Sequence, residues 1–176
     1  GFFRIPCDHL LAGKIICDYL KQEFDTSKCE EEYLKNHVVV APDAGSAKLS
    51  GFYAQKLKLP LAILDKRRID DSENPNMNVI IGDVKGKNAL IFDDEVASGG
   101  SLIKAADALL SAGVNKVEAC CVHGVLSGTA VEKIKNSQIS RLIVTDTVPI
   151  PECKKIDKIE VVSVAKLFAM AIQNTN

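Results

Sequence analysis

Short runs of consecutive apolar residues alternate along this chain with segments whose apolar residues recur every three or four positions. Residues 37–41, 60–64, 89–92, 117–122, 142–145 and 159–162 are runs of the first kind. Such runs suit strands buried on both faces of a parallel sheet. Residues 79–81 read as a short return strand. Between them, Leu10, Leu11, Ile15, Ile16, Tyr19 and Leu20 fall on one face of a helix over 8–24, with Asp8 as its cap. Ala47, Leu49, Phe52, Tyr53 and Leu57 predict a second helix. Leu102, Ala105, Ala106, Leu109 and Leu110 predict a third, stopped at Gly113. Residues 127–135 and 164–172 predict a short helix and a closing one. Strands alternating with helices specify an α/β fold, a mostly parallel sheet flanked by helices.

Two stretches break this rhythm. Residues 25–36 are polar and charged and read as a solvated excursion. Residues 69–78 are polar, with Pro75, three acids and three Asn nearby, and read as a mobile loop. Residues 1–6 form an apolar opening segment whose Phe2 and Phe3 need a neighbour to cover them. The 176 residues suffice for one domain, and 47% of them are hydrophobic, enough for a real core. A net charge of −1 argues against nucleic acid or an acidic membrane surface as partner. No apolar run approaches the ~20 residues that span a bilayer. The six cysteines include no C-x-x-C pair, and Cys120 and Cys121 sit in an apolar run as small core residues. A reduced, cytoplasmic setting is expected.

The chemistry concentrates at strand ends. After the strand over 89–92 come Asp93 and Asp94, then Glu95-Val96-Ala97 and the turn Ser98-Gly99-Gly100-Ser101 opening a helix. Adjacent carboxylates repel, and sharing a cation or sugar hydroxyls relieves that. Small residues at a helix start leave backbone N–H groups open to a phosphate. Together they point to a sugar phosphate; solvated acids in an ordinary strand–helix connection are the bland alternative. A second turn, Asp43-Ala44-Gly45-Ser46 followed by Lys48, suits a diphosphate, with Asp43 on a metal and Lys48 on phosphate oxygens. An ordinary helix cap by Asp43 explains it equally well. Lys66-Arg67-Arg68, after a strand and beside the loop, would neutralise charge on a polyphosphate or form a plain surface patch. His123-Gly124 reads as a structural turn, and His9, His37 and His123 are too dispersed for a metal site. No P-loop, G-x-G-x-x-G or G-x-S-x-G occurs.

Taken in order, Gly1-Phe2-Phe3 with Ile5-Pro6 and Asp8-His9-Leu10, Pro42-Asp43-Ala44-Gly45, Asp65-Lys66-Arg67-Arg68, Asp93-Asp94 with Ser98-Gly99-Gly100-Ser101, and His123-Gly124-Val125-Leu126-Ser127-Gly128 resemble the ribose-phosphate diphosphokinases. These are the phosphoribosyl-pyrophosphate (PRPP) synthetases, which share the type I phosphoribosyltransferase fold. The resemblance covers nearly the whole chain. It implies transfer of the β,γ-diphosphoryl group of Mg-ATP to the 1-hydroxyl of ribose 5-phosphate, giving PRPP and AMP. It further implies that Asp93, Asp94, Ala97, Ser98, Gly99, Gly100 and Ser101 bind ribose 5-phosphate, with Mg²⁺ as cofactor. Asp43, Ala44, Gly45, Ser46 and Lys48 would face the ATP diphosphate, Asp43 being the metal ligand, and Lys66 and Arg68 would be catalytic. Many members carry an acid at the place of Ala97. Members also have a preceding half-domain, so this chain is expected to be a single domain over 1–176, the C-terminal half, inactive alone. Dimers or hexamers are the family's usual assemblies. A phosphoribosyltransferase consuming PRPP and a non-catalytic, synthetase-associated subunit are the rival readings.

Overall fold

The computed structural model describes residues 4–5, 7–26, 30–67 and 77–174. Among the described residues, seven strands form one sheet: β1 (His37–Ala41), β2 (Leu61–Arg67), β3 (Met77–Ile81), β4 (Asn88–Glu95), β5 (Lys116–His123), β6 (Arg141–Thr145) and β7 (Ile159–Val162). Their order across the sheet is β3-β2-β1-β4-β5-β6-β7. Every pairing is parallel except β2 with β3. The expected α/β architecture is present, and the return strand is the antiparallel edge β3. That strand takes in Met77 and Asn78, which the sequence pattern had left to the loop; the rest of that loop lies outside the described residues.

Among the described residues, six α-helices accompany the sheet: α1 (Gly13–Thr26), α2 (Glu30–Asn36), α3 (Ala47–Leu57), α4 (Gly100–Ser111), α5 (Ala130–Asn136) and α6 (Ala165–Asn174). Because side chains alternate along a strand, the sheet feeds two cores. Val38, Val40, Ala89, Ile91 and Ala119 pack with Leu102, Ala105 and Leu109 of α4 and Ile134 of α5. Val39, Leu90, Phe92, Cys120 and Ile143 pack with Ile16 and Leu20 of α1 and Tyr53 and Leu57 of α3. Buried on both sides, the central strands can be continuously apolar, which is why they were legible as runs. Cys17, Cys120 and Cys121 are buried free thiols, and Cys7 and Cys153 are exposed ones.

Two expectations are corrected. The first helix starts at Gly13 rather than Asp8; Asp8 is exposed and caps nothing, and Leu11 is 53% exposed. Residues 9–12 instead cross the end of the sheet, and Leu11 O and Ala12 O accept the N–H groups of Lys14 and Ile15 as the helix begins. Gly13 is itself constrained, since a Cβ there would collide with the Tyr53 phenol. Gly13→Ala should therefore cost about 1–3 kcal/mol of stability by overpacking, and Tyr53→Phe in the same chain should recover part of that loss in denaturant titrations. The second correction concerns residues 25–36, where 30–36 are solvent-facing as expected but helical, and 27–29 lie outside the described residues. Residues 25–26 end α1 and residues 30–36 form α2, whose first turn carries Glu30, Glu31 and Glu32 at the positive end of the helix dipole. Tyr33 stacks on Phe24 and His37, and His37 Nδ1 meets Tyr33 O at 2.9 Å. His37 is thus structural, and burial holds its imidazole below the usual range.

At the opposite end of the sheet from the strand C-termini sits an ionic cluster. Arg141, the first residue of β6, donates through Nη1 and Nη2 to both oxygens of Glu23, at 2.7 and 2.8 Å. It also reaches Glu118 and Glu160, each at 3.1 Å. Tyr19 donates to Glu160, and Lys116 pairs with Glu118. The cluster ties α1 to β5, β6 and β7.

Candidate active site

From β1 the chain proceeds outward to β2 and β3, and β4 then returns to the other side of β1. The connections leaving the C-terminal ends of β1 and β4 therefore diverge around a crevice, the place where open α/β sheets take ligands. The two turns singled out in the sequence flank this boundary. In the register, Val40 pairs with Ile91, so Asp43 and Asp94 lie equally far along the chain past that pair.

Strand β4 runs further than its apolar stretch and includes both acids. The two carboxyl groups lie within hydrogen-bond reach of each other, and the charge of Asp94 also acts on Tyr53 of α3. Asp94 N–H donates to Asp93 Oδ1 at 2.9 Å, and Glu95 N–H donates to Asp94 Oδ1 at 2.8 Å. Even so, burial, together with the hydrogen bond and charge of Asp94 and the charge of Asp43, pushes the Asp93 carboxyl up to about 6. A carboxylate strained in this way gains from a cation or from donor hydroxyls.

Residues 93–102 enclose a hollow of about 240 Å³. At its base Gly99 has φ 74° and serves as the N-cap of α4, with no side chain capping the helix. Glycine is needed there for its left-handed backbone. The first N–H groups of a twelve-residue helix are thus left to a ligand, and the dipole favours an anion. Ala97, Ser98, Gly100 and Ser101 complete the wall. A backbone clamp fixes this loop: Val96 N–H donates to His123 O, Leu126 N–H to Val96 O and Ser127 N–H to Ala97 O, at 2.9–3.0 Å. Lys154 Nζ donates to Leu126 O at 2.7 Å and holds the clamp from outside.

Across the boundary, Asp43, Ala44 and Gly45 form an exposed turn that leads through Ser46 into α3, with Lys48 exposed in its first turn. Ser46 N–H donates to Asp43 Oδ1 at 2.8 Å, and Ser46 Oγ donates to Asp43 O at 2.9 Å. Asp43 thus shapes the turn just ahead of the helix cap, which is Ser46 itself. The structure brings the Asp43 and Asp93–Asp94 turns together. Lys66 is placed by its backbone near the end of β2, paired with Asn78, and Arg68 lies outside the described residues.

A second cavity, of about 430 Å³, opens on the α1/α3 face of β4 and shares Asp94. Tyr53, Leu49, His123, Thr147 and Phe168 line it with residues 9–13. Burial, joined by the charges of Cys17 and Asp94, pushes the Tyr53 phenol up to about 12. Sequence reasoning missed Tyr53 and Thr147. Tyr53 reads as one more apolar helix position, and nothing in the sequence places Thr147 beside a strand two positions across the sheet.

A family model, the phosphoribosyl transferase domain, matches residues 8–151. This chain belongs to that family. The matched range includes both turns and strands β1 to β6. The chain also matches ribose-phosphate pyrophosphokinases over nearly its whole length. It is 49% identical to that of Caldanaerobacter subterraneus over 172 residues, which is 98% of this chain and 52% of the relative. It is 44% identical to that of Clostridium acetobutylicum over 174 residues, again 98% of this chain and 52% of the relative. Among solved structures, phosphoribosylpyrophosphate synthetase from Mycobacterium smegmatis superposes with a TM-score of 0.84 at 32% identity, covering 99% of this chain and 53% of that one. The chain thus spans about half the length of the relatives it matches. Among the described residues, no helix is long and apolar enough to cross a membrane.

Proposed function

We propose that this chain is the ribose-5-phosphate-binding half of a PRPP synthetase, a single phosphoribosyltransferase-like domain over 1–176. The reading rests above all on the two carboxylates at the tip of β4, set beside an uncapped α4 N-terminus at the reversal point of the sheet. The 5-phosphate takes the N–H groups around Gly99–Ser101, and the ring hydroxyls donate to Asp93 and Asp94. ATP lies along the Asp43–Ser46 turn with Lys48 near its phosphates. The 1-hydroxyl oxygen attacks the β-phosphorus, the bond from that phosphorus to the α–β bridging oxygen breaks, AMP leaves and the hydroxyl proton is released. Lys66 and Arg68 are assigned to stabilising charge on the group in flight, since positioning and electrostatics carry most phosphoryl chemistry.

Among the described residues, no cluster of three or more His, Cys, Asp or Glu side chains is arranged to hold a metal. The donor set nevertheless suits Mg²⁺, which takes one or two carboxylates and fills its octahedron with water and substrate oxygens. Asp43 and the Asp93–Asp94 pair are the carboxylates that would hold it, and the bound ion would neutralise phosphate charge. The assembled protein is expected to be a cytoplasmic homo-oligomer, a dimer or hexamer, using ATP and ribose 5-phosphate.

The test is direct. The full-length protein carrying this chain should form AMP and PRPP in equal amounts from ATP and ribose 5-phosphate, and only with Mg²⁺. The 176-residue chain alone should bind ribose 5-phosphate weakly and release little or no AMP. Diphosphate release from PRPP that requires an added nucleobase, with no PRPP synthesis, would replace this reading by the phosphoribosyltransferase one.

A further inference from the structure

The second cavity holds a histidine whose orientation is fixed and whose outer nitrogen is unused. His123, the last residue of β5, pairs in register with Glu95, one residue beyond Asp94. Its Nδ1 lies 2.8 Å from Thr147 Oγ1. The tautomer follows from where the threonine protons go. Thr145 Oγ1 donates to Val122 O at 2.7 Å. Thr147 Oγ1 has Thr145 Oγ1 at 3.0 Å and Val122 O at 3.2 Å as acceptors for its single proton. With that proton assigned there, Thr147 Oγ1 accepts from His123, Nδ1 is the protonated nitrogen and Nε2 carries the lone pair. Among the described residues Nε2 has no partner. It is an acceptor on the rim of a cavity that Asp94 also lines.

We propose that His123 is a sugar-binding residue: its Nε2 accepts a hydrogen bond from a ring hydroxyl of the sugar phosphate held at Asp94, with Thr147 as the positioning residue that aims the ring. The inference rests on the reading of Asp93 and Asp94 as sugar ligands. A ribose ring offers hydroxyl protons at three positions. Asp93, Asp94 and His123 supply three acceptors around one strand tip, so each hydroxyl can donate to a separate group. The phosphate cradle, enclosed by residues 93–102, does not include His123.

The experiment is calorimetric titration of the full-length protein with ribose 5-phosphate and, separately, with inorganic phosphate. His123→Ala should weaken ribose 5-phosphate about five- to tenfold, as loss of one neutral hydrogen bond allows, and leave inorganic phosphate unchanged. His123→Gln, whose amide reaches the place of Nε2, should keep most of the affinity; His123→Asn, which reaches only the place of Nδ1, should not. Thr147→Val should give a smaller loss of the same kind, visible as a raised KM for ribose 5-phosphate with KM for ATP unchanged. If His123→Ala binds ribose 5-phosphate like the wild type, His123 is not a sugar ligand, although the proposed reaction stands. If the wild type does not bind ribose 5-phosphate, both fall. Should His123→Ala lose inorganic phosphate as well, the fold has moved, and Thr147→Val with His123→Gln then decides the matter.

Discussion

Asp93→Asn in the full-length protein should cut PRPP formation about 10²- to 10³-fold, the usual cost of removing one preorganised electrostatic group, while making the folded chain more stable at pH 8. The two effects have one origin. Asp93 is half-buried beside Asp94 and within the field of Asp43, and its carboxyl titrates near 6 instead of at its ordinary 3.8. Between those values the folded chain holds a proton that the unfolded chain has released. The contribution of Asp93 to stability is therefore full below about pH 4 and is lost as pH rises through about 6. Asn carries no such penalty, so the gain over wild type should be near zero at pH 4 and grow to about 1 kcal/mol at pH 8, solvent at this half-exposed site having screened away the rest. Denaturant titrations at the two pH values check this, and an Asn variant less stable than wild type at pH 8 would refute it. Mg²⁺ affinity of the wild type should climb across the same interval, since the cation competes with that proton.

Arg141→Ala should lower stability by about 3 kcal/mol, the low end for breaking a buried ion pair, or roughly 10 °C in melting temperature for a chain of this length. The guanidinium is the shared partner of Glu23, Glu118 and Glu160, and the Glu118 side chain is only 9% exposed. Its removal leaves three carboxylates facing one another under α1. Ribose 5-phosphate affinity should hardly change, because the cluster lies at the N-terminal ends of β5 and β6, away from Asp93. Pairing Arg141→Met with Glu118→Leu should recover much of the loss, since apolar replacements can match a buried ion pair. A single variant as stable as wild type would show the cluster to be no more than a surface network.

How much of this could be read beforehand depends on what each residue answers to. The strand runs and the turns at Asp43 and at Ser98–Ser101 were legible because local rules decide them: continuous apolarity for strands buried on both sides, small residues where backbone must meet a ligand. Helix α2 was hidden because its seven residues are mostly charged and are tied down by Tyr33 and Leu34, Tyr33 through stacking on Phe24 and His37 that periodicity does not register. The false start of α1 has a similar cause. Leu10 and Leu11 do sit at helical spacing, but they are used to line a cavity. The partnership of His123 with Thr147 spans 24 positions and exists only because β5 and β6 are neighbours.

The adjacency of Asp93 and Asp94 on one strand carries a mechanical consequence. Both acids line the phosphate cradle, and Asp94 of the two also lines the cavity of His123. A slip of β4 by a single residue against β1 or β5 would move each acid to the opposite face of the sheet. The pairings from Asn88 with Lys116 to Glu95 with His123 therefore act as the alignment scale of the site. Small substitutions along the buried stretch Leu90–Phe92, far from any ligand, should show up first as altered sugar recognition.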